Sequence, residues 1–383
     1  MRPGGARFRV NPFLAAVAAF AGVCALVFAT VQAVGDPAAG GPRQVLDISP
    51  GPMSAEAAPR IPFGEAVVEG GDLDLQSMPE AEVLTQEAAA QEAAGMSGEL
   101  KISVVNAEPA RPAPRPLPRA PIAGLTERGG LGLLPIVSRT GQTPMQAYAR
   151  PFTPQGNRPR VAIIVGGLGF NARNTAQAID ELPPEVTLSF VPYSANLQSW
   201  IDRARARGHE VMLELPMEPF DPEADDTGPQ TLLAAAPPAQ NIARLENLLS
   251  RATGYFGVTN YQGARFATSA AAAEPVVQQF RRRGLAFVST GLGQRTALTT
   301  EAERAAVPFA AADRIIDARR EAEAIDEQLL NLEALALQNG SAIGAGFAYP
   351  VTMEQISTWA TSLERRGYTL APVSAAVAAR TRR

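Results

Sequence analysis

At 383 residues the chain is long enough for two or three domains, but its core-forming residues are unevenly spread: Trp200 and Trp359 both fall in the last half, and Phe63 is the sole aromatic residue between Asp36 and Thr140. A formal charge of -4 and a pI near 5.4, with no concentrated basic face in the pattern, exclude nucleic acid as the main partner. Cys24 is the only cysteine, which excludes a disulfide framework and a thiolate metal cluster.

Arg2, Arg7 and Arg9 precede an uncharged run from Phe13 to Val34. At about 1.5 Å per residue, a helix of that length crosses roughly 30 Å of hydrocarbon, so residues 1–35 are expected to form a cytoplasmic tip and one transmembrane anchor. With the arginines before the run and Asp36 after it, the positive-inside bias puts the remainder outside. The expectation is a bacterial inner-membrane protein, single-pass through residues 13–34, with its C-terminal domain in the periplasm. A cleaved signal peptide ending near Val31-Gln32-Ala33 is the competing reading; the run exceeds the roughly 7 to 15 apolar residues of such peptides, which favours the anchor. Cys24 follows Val23, where lipid attachment would want a small residue, and reads as part of the anchor.

Residues 36–157 are rich in Ala, Pro, Gly and Glu and read as a disordered linker, since so few apolar side chains do not offset the chain entropy of ordering. Within it, Gln86 to Ala94 has helix-forming composition. Arg111 to Pro121, RPAPRPLPRAP, reads as a stiff polyproline-type spacer that holds the following domain away from the bilayer, with partner docking as the alternative.

Residues 158–377 change texture. RVAIIVG, VTLSFVPY, HEVMLEL, YFGVTN, LAFVST, DRIIDA, SAIGAGF and YTLAPV are short, apolar and β-branched, and are bounded by Gly, Pro or Asn, so they read as strands. Helices lie between them. Asn171 caps a segment running to about Leu182, stopped by Pro183 and Pro184, and Gly208 ends the arginine-rich segment after Trp200. From Glu321 to Gln338, Ile325, Leu329, Leu332 and Ala336 recur at helical spacing before Gly340. This alternation predicts an α/β domain with a mostly parallel sheet, and roughly eight strands favour barrel-like closure over an open sheet. Residues 378–383 read as a tail.

In either form the working surface lies at the C-terminal strand ends. These fall at Gly166-Gly167, at Glu214 with Pro216 and Glu218 beyond, at Asn260-Tyr261-Gln262, at Ser289-Thr290, near Asp317 and at Phe347. Gly167 to Ala172 fits a GxGxxA dinucleotide fingerprint, but the second strand ends in Pro192-Tyr193 and lacks the carboxylate that holds the ribose.

The ordered motifs RVAIIVGGLG, LPPEVTLSFVPY, ARGHEVMLELPMEP with TGPQTLL, GVTNYQGARFATS and AIGAGFAYP with GYTLAPVS resemble the divergent polysaccharide deacetylases of bacterial envelopes. The resemblance implies a deformed (β/α) barrel acting on acetylated sugars through a divalent metal held by aspartate and histidine. It also locates departures. Gly166-Gly167 stands where the family has an Asp-Asp pair, Tyr261 where it has a histidine after Asn260, Phe347 where it has Gly-His-Pro, and Ser289 or Thr290 where an aspartate is expected.

A hydrolytic zinc-type ion needs about three protein ligands, usually with imidazole among them. The only histidine, His209, sits at the opposite end of its strand and reads as a structural hydrogen bonder. An all-carboxylate site from Glu214, Glu218 and Asp317 would suit magnesium or calcium better. Glu214 and Glu218 are also candidates for an acid and base pair, which requires carboxyls about 5 to 9.5 Å apart, although Glu218 is explained equally well by capping backbone amides. Glu218, Asn260, Arg265 and Asp317 match the family; Arg265 is expected to pair with Asp317 or Glu218. Asn260, Tyr261, Arg265 and Phe347 are the sugar-binding candidates, with Tyr255 and Tyr349 adding aromatic surface near the rim.

The sequence therefore predicts a tethered periplasmic domain without a cofactor, engaging an envelope glycan or a periplasmic protein. The alternative is an active deacetylase with a divalent metal at an unusual carboxylate site.

Overall fold

The computed structural model describes residues 115–381. The expected anchor and the linker up to residue 114 lie outside them; among the described residues no helix is long and apolar enough to cross a membrane.

The chain enters through a two-stranded antiparallel hairpin, β1 (Thr126–Arg128) and β2 (Leu133–Pro135), followed by α1 (Pro144–Tyr148), whose N-cap Thr143 forms a capping box with Gln146. Strand and helix then alternate through β3 (Arg160–Leu168), α2 (Ala172–Glu181), β4 (Thr187–Phe190), α3 (Leu197–Ala206), β5 (Val211–Met217), α4 (Pro238–Leu249), β6 (Gly257–Gln262), α5 (Ala270–Arg283), β7 (Ala286–Ser289), α6 (Ala297–Arg304) and β8 (Phe309–Ala311). The last third runs β9 (Arg314–Ile315), α7 (Ala322–Asn339), β10 (Ser341–Phe347), α8 (Pro350–Leu363), β11 (Thr369–Leu370) and α9 (Val373–Thr381).

The local signals act where they were read. Asn171 Oδ1 accepts the Asn174 N–H at 3.0 Å to open α2, and Gly340 closes α7 in the left-handed conformation that a terminating glycine supplies. The strands form one parallel sheet in the order β8-β7-β6-β5-β4-β3-β10-β9, with β11 beside the start of β3. Its two ends, β8 and β9, are joined by only Ala312 and Asp313, so the sheet curves round on itself. No ladder joins β8 to β9; instead Asp313 Oδ2 accepts the Ile343 N–H at 2.7 Å and pairs with Arg380. The sequence predicts closure, and the sheet is a half-barrel with a covalent link across the gap.

Alternation along each strand divides the side chains between two cores. Val161, Ile163, Val165, Leu188, Leu213, Leu215 and Phe287 face the surrounding helices. Ala162, Ile164, Met212, Ala286, Val288, Ile343 and Ala345 face the concave side. At the N-terminal end of the strands that concave side is filled by Val373, Ala376 and Val377 of α9 and by Leu125 and Tyr148 from the entering segment.

This corrects the expected linker. Residues 115–157 belong to the folded unit rather than to a disordered tether, because Leu125, Leu134 and Tyr148, dispersed through a Pro- and Gly-rich stretch, insert into cores built elsewhere, and Leu117 is buried too. The Arg111–Pro121 spacer is likewise held from residue 115 on. The Arg205 guanidinium, 1% exposed, donates to Pro118 O at 2.9 and 3.1 Å, to Tyr148 O at 3.0 Å and to Gly254 O at 3.0 Å, and it lies over the Tyr148 ring. Burial of that cation pushes its pKa down to about 10, opposed by Tyr148, Glu210 and Asp202. The expected tail is also part of the fold as far as Thr381, where α9 ends and Arg380 donates to Ala311 O at 2.9 Å.

Candidate functional site

With its N-terminal end plugged, the concave face is open at the C-terminal strand ends, where a cavity of about 250 Å³ is lined by Gly166, Glu214, Asn260, Tyr261 and Phe347 among others. Alternation explains the lining: continuing the inward series Ala162–Ile164 along β3 reaches Gly166, and continuing from Met212 along β5 reaches Glu214. β5 runs on to Met217, so Glu214 lies within the strand rather than at its end.

Glu214 is 3% exposed and is the one charged residue of this lining. Its Oε1 accepts the Gly167 N–H at 2.6 Å, whereas Oε2 is buried with no partner. Burial pushes the carboxyl up to about 7, opposed by the Gly167 amide and by Ser189. The Ser189 hydroxyl, also in the lining, lies close enough to hold the shift back but is itself without hydrogen-bonding geometry to any partner.

Gly166 and Gly167 create this arrangement. Pairing with β4 shifts between Val165 and Leu168, a bulge that spans Gly166-Gly167 and turns the Gly167 N–H to Glu214. A Cβ at position 166 would lie 2.6 Å from Glu214 Oε1, and one at 167, where φ is +73°, would lie 3.0 Å from the Phe347 ring. Glycine at both positions leaves room for a carboxylate and a phenyl ring.

Of the other candidates, Tyr261 and Phe347 line the cavity, the latter 36% exposed; Phe170 packs on Tyr261 with ring centroids 6.2 Å apart, and Tyr349 on Phe347 at 6.0 Å. Tyr255 is not at the rim: it is buried and donates to Leu249 O at 2.7 Å. Asn260 lines the cavity, but Nδ2 donates to Gln262 O and Thr290 O and Oδ1 accepts the Thr290 N–H, each at 2.8 Å, so it ties β6 to the end of β7.

Glu218 and Asp317 do not converge with Glu214. Glu218 Oε2 accepts the Ala234 N–H at 2.6 Å, and its Oε1 lies 3.4 Å from Arg265 Nε, so Arg265 pairs with Glu218 rather than with Asp317 and stands outside the cavity lining. Asp317 Oδ2 accepts from the Phe347 N–H at 2.6 Å and the Thr352 hydroxyl at 3.0 Å, clamping the turn that presents Phe347; burial raises its pKa. His209 is buried beneath the sheet, with Nδ1 2.8 Å from Val186 O and Nε2 3.2 Å from Ile179 O, and burial lowers its pKa.

A divalent ion of the kind the resemblance implies does not fit these residues. Among the described residues no three His, Cys, Asp or Glu side chains form a group able to hold one. Sequence reasoning missed Ser189, Phe170 and Gln262. Ser189 follows from alternation in β4, while Gln262, named only as part of a strand end, lines the cavity with φ at +56°.

Residues 163–377 match the divergent polysaccharide deacetylase family. The crystal structure of the uncharacterized protein ATU2773 from Agrobacterium tumefaciens is 40% identical and superposes with a TM-score of 0.62 over 64% of this chain and 99% of that one. The uncharacterized protein YibQ of Escherichia coli is 22% identical over 194 residues, 51% of this chain, and the match spans 60% of YibQ's length. An uncharacterized protein of Haemophilus influenzae is 22% identical over 200 residues, 51% of this chain and 68% of that protein.

Proposed function

The chain belongs to the divergent polysaccharide deacetylase family, and from that premise we propose that its strand-end cavity binds a carbohydrate without a metal centre. The observation that carries the reading is the make-up of the cavity: Gly166, Tyr261 and Phe347, at positions where the resemblance implies metal ligands, contribute space and aromatic surface around one buried carboxylate with a free oxygen. Aromatic faces suit the apolar faces of sugar rings, and a few fixed polar groups give orientation. The uncharged run over residues 13–34 supports a periplasmic setting, where an envelope glycan is the partner this chemistry fits; a periplasmic protein is the other partner considered.

One observation favours a hydrolytic second reading. A carboxyl titrating near 7 is poised for proton transfer. Against it, no second carboxyl lines this cavity: Glu218 and Asp317 are turned to Ala234 and Phe347, and Asp226 lines the adjoining cavity instead.

The test is calorimetric titration of the full chain with tetramers of N-acetylglucosamine and of glucosamine, before and after EDTA, with acetate assayed in parallel. Saturable binding that EDTA leaves unchanged, without acetate release, is expected. Stoichiometric metal with chelator-sensitive acetate release would overturn the reading.

A further inference from the structure

The cavity has a sign as well as a shape. Among the described residues no basic side chain lines it, nor the adjoining cavity of about 210 Å³ that shares Glu214 and Tyr261 and adds Asp226. The charged side chains that act on the Tyr261 hydroxyl, Glu214, Asp225 and Asp226, are all acidic. The nearest arginines stay out of the lining, although Arg244 and Arg251 act on Tyr193 at the edge of the adjoining cavity. Arg320 lies 4.1 Å from the Tyr349 ring centroid, Arg265 is on Glu218, Arg244 donates to Thr231 O at 3.0 Å, and Arg251 donates to Pro192 O at 3.2 Å.

Two buried oxygens of the cavity, Glu214 Oε2 and Ser189 Oγ, make no well-formed hydrogen bond, although the Ser189 hydroxyl lies near enough to the carboxyl to favour its charged form. A buried carboxylate oxygen left unmatched is costly, and a ligand that enters beside it is selected for a donor, most strongly a charged one. Tyr261 and Phe347 line the same cavity and add a second preference in the same direction, because an aromatic ring attracts a cation.

We infer that the saccharide this cavity selects carries a primary ammonium, so that it reads an amino sugar with a free amine in preference to its N-acetylated form. The inference rests on the carbohydrate reading above and names the ligand within it. An acetamide offers one N–H to Glu214 Oε2 and leaves the negative field unanswered. An ammonium offers three donors, enough for both Glu214 and Ser189, and supplies the opposite charge.

Four ligands separate the outcomes in calorimetry on the full chain at neutral pH: glucosamine tetramer, N-acetylglucosamine tetramer, cellotetraose and tetralysine. The glucosamine tetramer is expected to bind at least about ten-fold tighter than the acetylated one, the effect of a single charge-assisted hydrogen bond. Glu214→Gln should bring the two within about two-fold, chiefly by weakening the amine, with thermal melting confirming the fold. Equal or tighter binding of the acetylated tetramer overturns the inference and leaves the carbohydrate reading standing, as does an unchanged ratio in Glu214→Gln. Binding of cellotetraose as tight as that of the glucosamine tetramer also overturns it. Failure of all three saccharides removes both, and tetralysine binding alone would assign the cavity to a cationic peptide instead.

Discussion

Replacing Glu214 by glutamine isolates the cost of keeping an ionisable group in the cavity floor. The side chain is 3% exposed, and burial moves its carboxyl from the ordinary 4.5 to about 7. Because the folded pKa lies above the unfolded one, the folded protein retains a proton across this window that the unfolded chain has released. Stability from this group is therefore full below pH 4.5, falls as the pH rises to 7, and is flat beyond. At about 1.4 kcal/mol per pH unit the loss is ~3 kcal/mol as an upper figure. Glutamine keeps an acceptor for the Gly167 N–H but places an amide donor where Oε2 has no partner, at a cost of about 1–2 kcal/mol. The variant should be less stable than the parent by about that amount at pH 4 and more stable by about 1–2 kcal/mol at pH 8. Urea unfolding of both proteins at the two pH values measures this. Glu210 and Asp317, whose pKa values burial also raises, titrate in both proteins and cancel in the difference. A difference of the same sign and size at both pH values would refute the reasoning.

Gly166→Ala should drive a methyl against Glu214 Oε1, 2.6 Å from the added carbon, destabilising the fold by about 1–3 kcal/mol in urea unfolding and weakening saccharide binding at least about ten-fold. Asp317→Ala should orphan the Phe347 N–H and the Thr352 hydroxyl and cost about 2–3 kcal/mol by the same measurement, with saccharide affinity falling because Phe347 is no longer held. Leu125→Ala should cost about 2–4 kcal/mol, since Leu125 is fully buried; a value near zero would mean that the entering segment does not belong to the core.

The barrel-type α/β domain was legible because its signals are local: short apolar strands, the Asn171 cap and the Gly340 terminator each act within a few residues. The order of residues 115–157 was not, because Leu125, Leu134 and Tyr148 have no periodicity among themselves and acquire a core only from distant strands. The strand Phe309–Ala311 escaped for a related reason, as three small or aromatic residues carry no alternation. At the site, the substitutions at Gly166, Gly167, Tyr261 and Phe347 were visible, and so was Glu214. What sequence does not encode is direction: Glu218 and Asp317 look like Glu214 as letters and all three accept a backbone N–H, yet only Glu214 lines the cavity. The bulge that lets Gly167 reach Glu214 depends on pairing with β4, a long-range contact.

A crystal structure of the protein grown with glucosamine tetramer puts the central claim to the most direct test. A sugar in the strand-end cavity, with its amine within about 3 Å of Glu214 Oε2 and a ring against Tyr261 or Phe347, is the expected result. A coordinated cation between those loops, or sugar bound only elsewhere on the surface, would contradict it.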